Sequence, residues 1–95
     1  MSFYIYIIQS GLDNSYYKGF TENPIIRLFR HNNGESSYTK NKVPWKLVYL
    51  EIKLSKREAL IREKTLKKYS ASQIQLLVNS TKNLLVEYML ENPID

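Results

Sequence analysis

The sequence predicts an α+β domain: a small three-stranded antiparallel sheet flanked by helices, in the order ββαβααα. Three observations carry this. Two short runs rich in aromatic and β-branched residues, FYIYII at 3–8 and YYKGF at 16–20, flank a cluster of turn formers, and a third run, WKLVYLEI, follows at 45–52. Polar N-cap residues stand ahead of four stretches with helical spacing. Ninety-five residues, 43% hydrophobic and 24% charged, suffice for one modest core but not for a second independent one. Residues 1–79 are therefore read as the domain and 80–95 as a C-terminal helix packed on it.

Each element has its own signal. In the first strand, alternation puts Phe3, Ile5 and Ile7 on one face and Tyr4, Tyr6 and Ile8 on the other. GLDNS at 11–15 turns the chain, and Tyr17 and Gly19 share a face of the returning strand. Asn23 then caps a helix with Pro24 at its first position, where the missing N–H costs nothing, and Asn32, Asn33 and Gly34 end it. Helical spacing sets Arg27, Arg30 and His31 on one face of it and Ile25, Leu28 and Phe29 on the other. After a polar basic loop at 35–43, alternation in the third strand groups Trp45, Leu47, Tyr49 and Glu51 against Lys46, Val48, Leu50 and Ile52.

Ser55 with Glu58 forms a capping box for a second helix running to about Lys68, and Ser70 with Gln73 repeats it for a third at 71–79, striped by Ile74, Leu77 and Val78. Thr81 is expected to cap the last helix, which uses Leu84, Leu85, Tyr88 and Met89 and ends at Leu90, with ENPID fraying beyond.

A formal charge of +5 favours polyanionic partners, nucleic acid first and an anionic membrane surface second. The absence of cysteine excludes disulfides and thiolate metal sites. The apolar start, MSFYIYIIQS, is too short to span a bilayer and lacks a basic leader, so the expectation is a cytoplasmic protein without a membrane role. The last two helices carry little basic charge and suit packing or association, a homodimer included.

Several residues stand out chemically. Glu63 falls within the stripe of Ala59, Leu60 and Leu66, where a carboxylate is costly unless a cation answers it. Glu58 and Arg62 read instead as an outer i, i+4 ion pair. One carboxylate suits Mg²⁺, which often takes few protein oxygens and fills its shell with water and substrate phosphates. His31 is the only histidine, so zinc is disfavoured. Of eight tyrosines, Tyr6 and Tyr17 lie on adjacent strands and can present two hydroxyls on one sheet face. Gly19, two residues after Tyr17, leaves room for a backbone or ligand to come close. Lys40, Lys42 and Lys46, interleaved with Tyr38 and Trp45, form a candidate phosphate-gripping edge, with Lys18 and Arg30 as further candidate contacts.

With Tyr4-Ile5-Tyr6, Tyr17-Lys18-Gly19, Arg27 and Glu63 in ALIRE in that order, the chain resembles the GIY-YIG endonuclease superfamily. More narrowly, it is similar to the small single-domain bacterial branch called URI-type, through YYKGFT, RLFRHN, YTKNKVPWKLVY and KREALIREKTLKK. The likeness covers about seven tenths of the chain. It implies metal-dependent phosphodiester hydrolysis in DNA at a single Mg²⁺ or Mn²⁺. Glu63 matches the metal ligand, and Arg27 the arginine that holds the scissile phosphate. Tyr6 matches the general base or water-orienting group, Tyr17 a residue close to that water, and His31 an alternative base or phosphate contact. With no room for a recognition domain, the expected substrate is branched, damaged or single-stranded DNA, in repair or recombination. The competing expectations are a nucleic-acid-binding module with this fold but little or no catalysis, and an interaction protein working through the last helices.

Overall fold

A computed structural model of the chain describes residues 2–93. Strand β1 (Phe3–Ser10) lies at the centre of the sheet, with β2 (Tyr16–Thr21) on one side and β3 (Trp45–Lys53) on the other, both antiparallel to it. The helices are α1 (Pro24–Asn32), α2 (Lys56–Leu66), α3 (Ala71–Val78) and α4 (Leu85–Glu91), so the order ββαβααα is the one observed. Ile94 and Asp95, part of the end expected to fray, lie outside the described residues.

β1 is apolar on both sides because both of its faces are covered. Ile5 and Ile7 pack with Tyr49 against Ala59 and Leu66 of α2 and Ile74 and Leu77 of α3. Tyr6 and Ile8 pack with Trp45 and Leu50, flanked by Leu28 of α1 and Leu85 and Tyr88 of α4. The sheet thus separates two half-cores, and the alternation read in β1 assigns its residues to them correctly.

The alternation read in β3 fails midway. Ile7 pairs with Tyr49, but the next residue, Ile8, pairs with Leu47, so Val48 is an extra residue on β3. This bulge reverses the side-chain parity: Trp45 and Leu47 join the Tyr6 half-core, whereas Tyr49 joins the Ile5 half-core.

Other departures concern helix faces and ends. Phe29 and Leu60, expected in the core, are exposed. α2 stops at Leu66, and only half of its expected capping box forms, the Ser55 hydroxyl accepting the Glu58 N–H. The Ser70–Gln73 box is complete. Arg62 does not pair with Glu58 but turns inward to Glu51 on β3, its Nε 3.0 Å from Oε1. Thr81 does not cap α4; Asn83 accepts the Leu85 N–H at 3.0 Å instead.

Asn83 also closes the outer edge of β3. Its amide nitrogen donates to the carbonyls of Val48 and Val78, both at 2.9 Å, and its amide oxygen accepts the Leu50 N–H at 3.2 Å. The Leu84 N–H donates to the Leu50 carbonyl at 2.9 Å, so this turn takes the place of a fourth strand. Asn83→Ala strips partners from several backbone groups at once and is expected to lower stability by about 1–3 kcal/mol in urea denaturation. An unchanged midpoint would mean that water replaces the amide without cost.

Candidate active site

The site grows from the contact between Tyr6 and Gly19, which are directly opposed across β1 and β2. A Cβ on residue 19 would lie 2.6 Å from the Tyr6 hydroxyl oxygen and 2.7 Å from Cζ, so the absent side chain is the space the phenol occupies. The room expected at Gly19 is taken by this neighbour's ring.

Laid across β2, the Tyr6 hydroxyl meets Nε2 of His31 on α1 at 2.8 Å, and His31 Nδ1 meets the Thr39 hydroxyl at 2.8 Å. The loop holding Thr39 is pinned at both ends. The Trp45 indole N–H donates to the Thr39 carbonyl at 2.9 Å, while the Asn32 side chain donates to the Trp45 carbonyl at 2.9 Å and accepts its N–H at 2.6 Å. Tyr17 completes an aromatic triangle, its ring centroid 6.4 Å from that of Tyr6 and 5.1 Å from that of His31.

His31 therefore does not lie on an exposed cationic face with Arg27 and Arg30. It is 3% exposed, at the floor of a cleft of about 270 Å³ also lined by Tyr17, Arg27, Arg30, Glu35 and Ser36. Burial, and then the nearby Arg27 charge, push its pKa down, so the ring is neutral at physiological pH. Tyr6 is pushed up to about 12, first by burial and then by Tyr17; Arg27 pulls the other way and Glu63 adds to the rise. Tyr6, Tyr17, Arg27 and Glu63 are thus electrostatically in touch, and at rest the phenol is protonated.

Glu63 sits on the inward side of α2 between the fully buried Ala59 and Leu66, its side chain 18% exposed, with Lys67 Nζ 3.9 Å away. Among the described residues no three His, Cys, Asp or Glu side chains gather as a metal cage. A lone, accessible, hard carboxylate oxygen fits a cation that keeps most of its shell for water and phosphate.

The candidate nucleic-acid contacts divide. Arg30 lines the cleft; Tyr38 is 84% exposed, two residues beyond the cleft-lining Ser36; Lys40 and Lys46 are exposed. Lys42 is engaged by the β1–β2 turn, its ammonium 3.3 Å from Asp13 and 3.3 Å from the Ser15 hydroxyl. Lys18 pairs with Ile7 and so faces the α2 side of the sheet, opposite Tyr6 and Tyr17. Trp45 is a core residue that offers no stacking surface. Thr39 escaped the sequence reading because a threonine in a polar loop carries no signal of its own.

The family model of the GIY-YIG catalytic domain matches residues 2–75. The chain is 42% identical over 78 residues to the UPF0213 protein CPE1444 of Clostridium perfringens, spanning 81% of this chain and 83% of that one. It is 38% identical over 85 residues to a UPF0213 protein of Streptococcus pneumoniae, spanning 86% and 85%. The solution NMR structure of the UPF0213 protein BH0048 from Bacillus halodurans superposes with a TM-score of 0.55 at 31% identity, over 86% of this chain and 87% of that one.

The buried neutral histidine makes stability pH-dependent. Its folded pKa lies below the unfolded value of about 6.5, so the unfolded chain binds more protons as pH falls through that value, and stability drops. As His31 is the only histidine, a fall in urea midpoint between about pH 7.5 and about pH 5.5, before most carboxylates titrate, should be absent in His31→Gln. An equal fall in both proteins would place the acid sensitivity elsewhere.

Proposed function

The chain belongs to the GIY-YIG family, and on that premise we propose that it is a metal-dependent endonuclease hydrolysing phosphodiester bonds in DNA. The observation that carries the proposal is the convergence of Tyr6, Tyr17, His31 and Arg27 at one cationic cleft, with the Glu63 charge felt at Tyr6. Phosphoryl chemistry needs three things there: a group to take a proton from water, positive charge for the phosphate, and a hard ligand for a cation.

Arg27 holds the scissile phosphate and balances the charge that grows on its oxygens as water attacks. Tyr6 takes the proton from that water, so it acts in its ionised form; Tyr17, on the same sheet face, confines the water between the two rings. A phenol with pKa near 12 is poorly suited to this until more positive charge arrives. Glu63 would hold Mg²⁺ or Mn²⁺, which when bound supplies Lewis acidity to the phosphate and favours ionised neighbours. Tyr38, exposed two residues beyond the cleft-lining Ser36, can stack on an unpaired base, which favours branched, damaged or single-stranded DNA as substrate, as repair and recombination generate. Arg30, Lys40 and Lys46 contribute backbone contacts.

The competing reading, a binding module with this fold and little turnover, draws on the same high phenol pKa. Labelled single-stranded, duplex and branched DNA, incubated with Mg²⁺, Mn²⁺ or EDTA, separates the two. Glu63→Gln should abolish metal-dependent cleavage while retaining DNA binding, and Arg27→Ala should reduce kcat by about a hundredfold or more. Binding of every substrate without cleavage by the wild-type protein would establish the module instead.

A further inference from the structure

The buried chain Tyr6–His31–Thr39 has a direction, and it follows from which atoms can donate. The Thr39 side chain is fully buried, and among the described residues its hydroxyl makes one hydrogen bond, to His31 Nδ1. The carbonyl of Thr39 is already occupied by the Trp45 indole and the Lys42 N–H. If Nδ1 carried the imidazole proton, Thr39 would accept it and its own buried O–H would have no acceptor, a cost of the kind folded proteins avoid. If the Thr39 O–H donates to Nδ1, the one hydrogen left without a protein acceptor is that of Tyr6, which is 2% exposed and packs against the cleft-lining Tyr17 and His31, so it can turn to water in the cleft, an outlet the fully buried Thr39 lacks. A neutral imidazole then carries its proton on Nε2, which donates to the Tyr6 hydroxyl oxygen 2.8 Å away.

We propose that Thr39 is a positioning residue that fixes His31 in its Nε2–H tautomer, making His31 a hydrogen-bond donor to the Tyr6 oxygen rather than an acceptor of its proton. The inference deepens the nuclease reading and rests on it for its catalytic consequence. His31 is then not the general base, because Nδ1 is engaged by Thr39 and Nε2 already bears hydrogen. Its role is to stabilise the ionised phenol, since a donor aimed at an oxygen favours the charged form of that oxygen. The Tyr6 proton, displaced from the His31 side, points toward the cleft and leaves in that direction. Because Thr39 lies between Tyr38 and Lys40, the basic loop that would meet DNA also orients the catalytic phenol's partner.

The test is ring ¹⁵N NMR of the histidine-labelled full chain at a pH where His31 is neutral, in the wild type, Thr39→Val and Thr39→Ser. The chain's single histidine makes assignment direct. The expected wild-type spectrum has an unprotonated Nδ1 and a protonated Nε2. Thr39→Val, similar in shape but without the hydroxyl, should shift population toward the Nδ1–H form, and Thr39→Ser should restore the wild-type pattern. With a cleavable substrate, kcat should fall about tenfold in Thr39→Val with KM little changed, and recover in Thr39→Ser. A protonated Nδ1 in the wild type overturns the proposal whether or not the variants fold, as does a tautomer unaltered in a folded Thr39→Val. The expected tautomers in a protein that cuts no substrate would uphold the assignment while overturning the nuclease reading.

Discussion

The absence of a side chain at residue 19 is the constraint on which the rest of the site depends. With only backbone there, the Tyr6 ring lies flat across β2 and its hydroxyl reaches α1. Any Cβ would lie well inside contact distance of the ring and force it, the neighbouring strand or both to move. From the phenol the connection runs through His31 to Thr39, and through Thr39 and Asn32 to Trp45 at the start of β3. The first strand, the first helix, the basic loop and the third strand are thus joined through polar atoms in an otherwise apolar half-core. Such a network is stabilising only when complete, since a partner lost inside it leaves a buried group unsatisfied.

A second set of polar contacts, on the other face of the sheet, acts on Glu63 indirectly. Glu51 accepts hydrogen bonds from Tyr49 at 2.5 Å, Lys53 at 2.8 Å and Arg62 at 3.0 and 3.2 Å. Burial works against this carboxylate, but the hydrogen bonds from Lys53, Tyr49 and Arg62 outweigh it and hold its pKa below the usual range. Arg62 immediately precedes Glu63, so anchoring its guanidinium to β3 sets the rotation of α2 about its own axis. A helix held only by Ala59 and Leu66 could roll over an apolar surface with little penalty. The fixed-geometry pair removes that freedom and keeps Glu63 turned toward the strands that carry the tyrosines.

How much of this was legible in the sequence follows from the range of each interaction. Caps and strand parity are local, and Asn23, Ser70 with Gln73, and the two faces of β1 could be read directly. The bulge at Val48 could not, because it is a property of pairing between strands forty residues apart, and one inserted residue inverted the faces assigned to Trp45 and Leu47. Phe29 was misplaced because helical spacing identifies neighbours on a cylinder without saying which arc is covered. Arg62 was assigned to Glu58 for a similar reason: the local i, i+4 partner was visible, whereas Glu51, eleven residues earlier and on another element, was not. Of the site, the residue types and their order were legible, but the network that orients them was not, because Thr39 and Asn32 gain their meaning only when the loop closes onto α1.

The resting electrostatics of the site run against the chemistry proposed for it, and the conflict has one origin. The packing that places Tyr6 over Gly19 also removes it from water, and burial is the largest influence raising its pKa to about 12. A bound phosphate adds negative charge beside the phenol and on its own would raise that value further. Positive charge at the same place must therefore outweigh both. Arg27 already pulls in that direction, and an N–H from His31 aimed at the phenol oxygen would act without bringing net charge into the half-core. In the proposed chemistry the remainder would come with the substrate, as the cation that accompanies its phosphate. On that reading, a phenol that ionises only when phosphate and cation are both present would withhold its base from bulk water until a scissile bond is in place, and the cost of burying Tyr6 would become a condition on turnover.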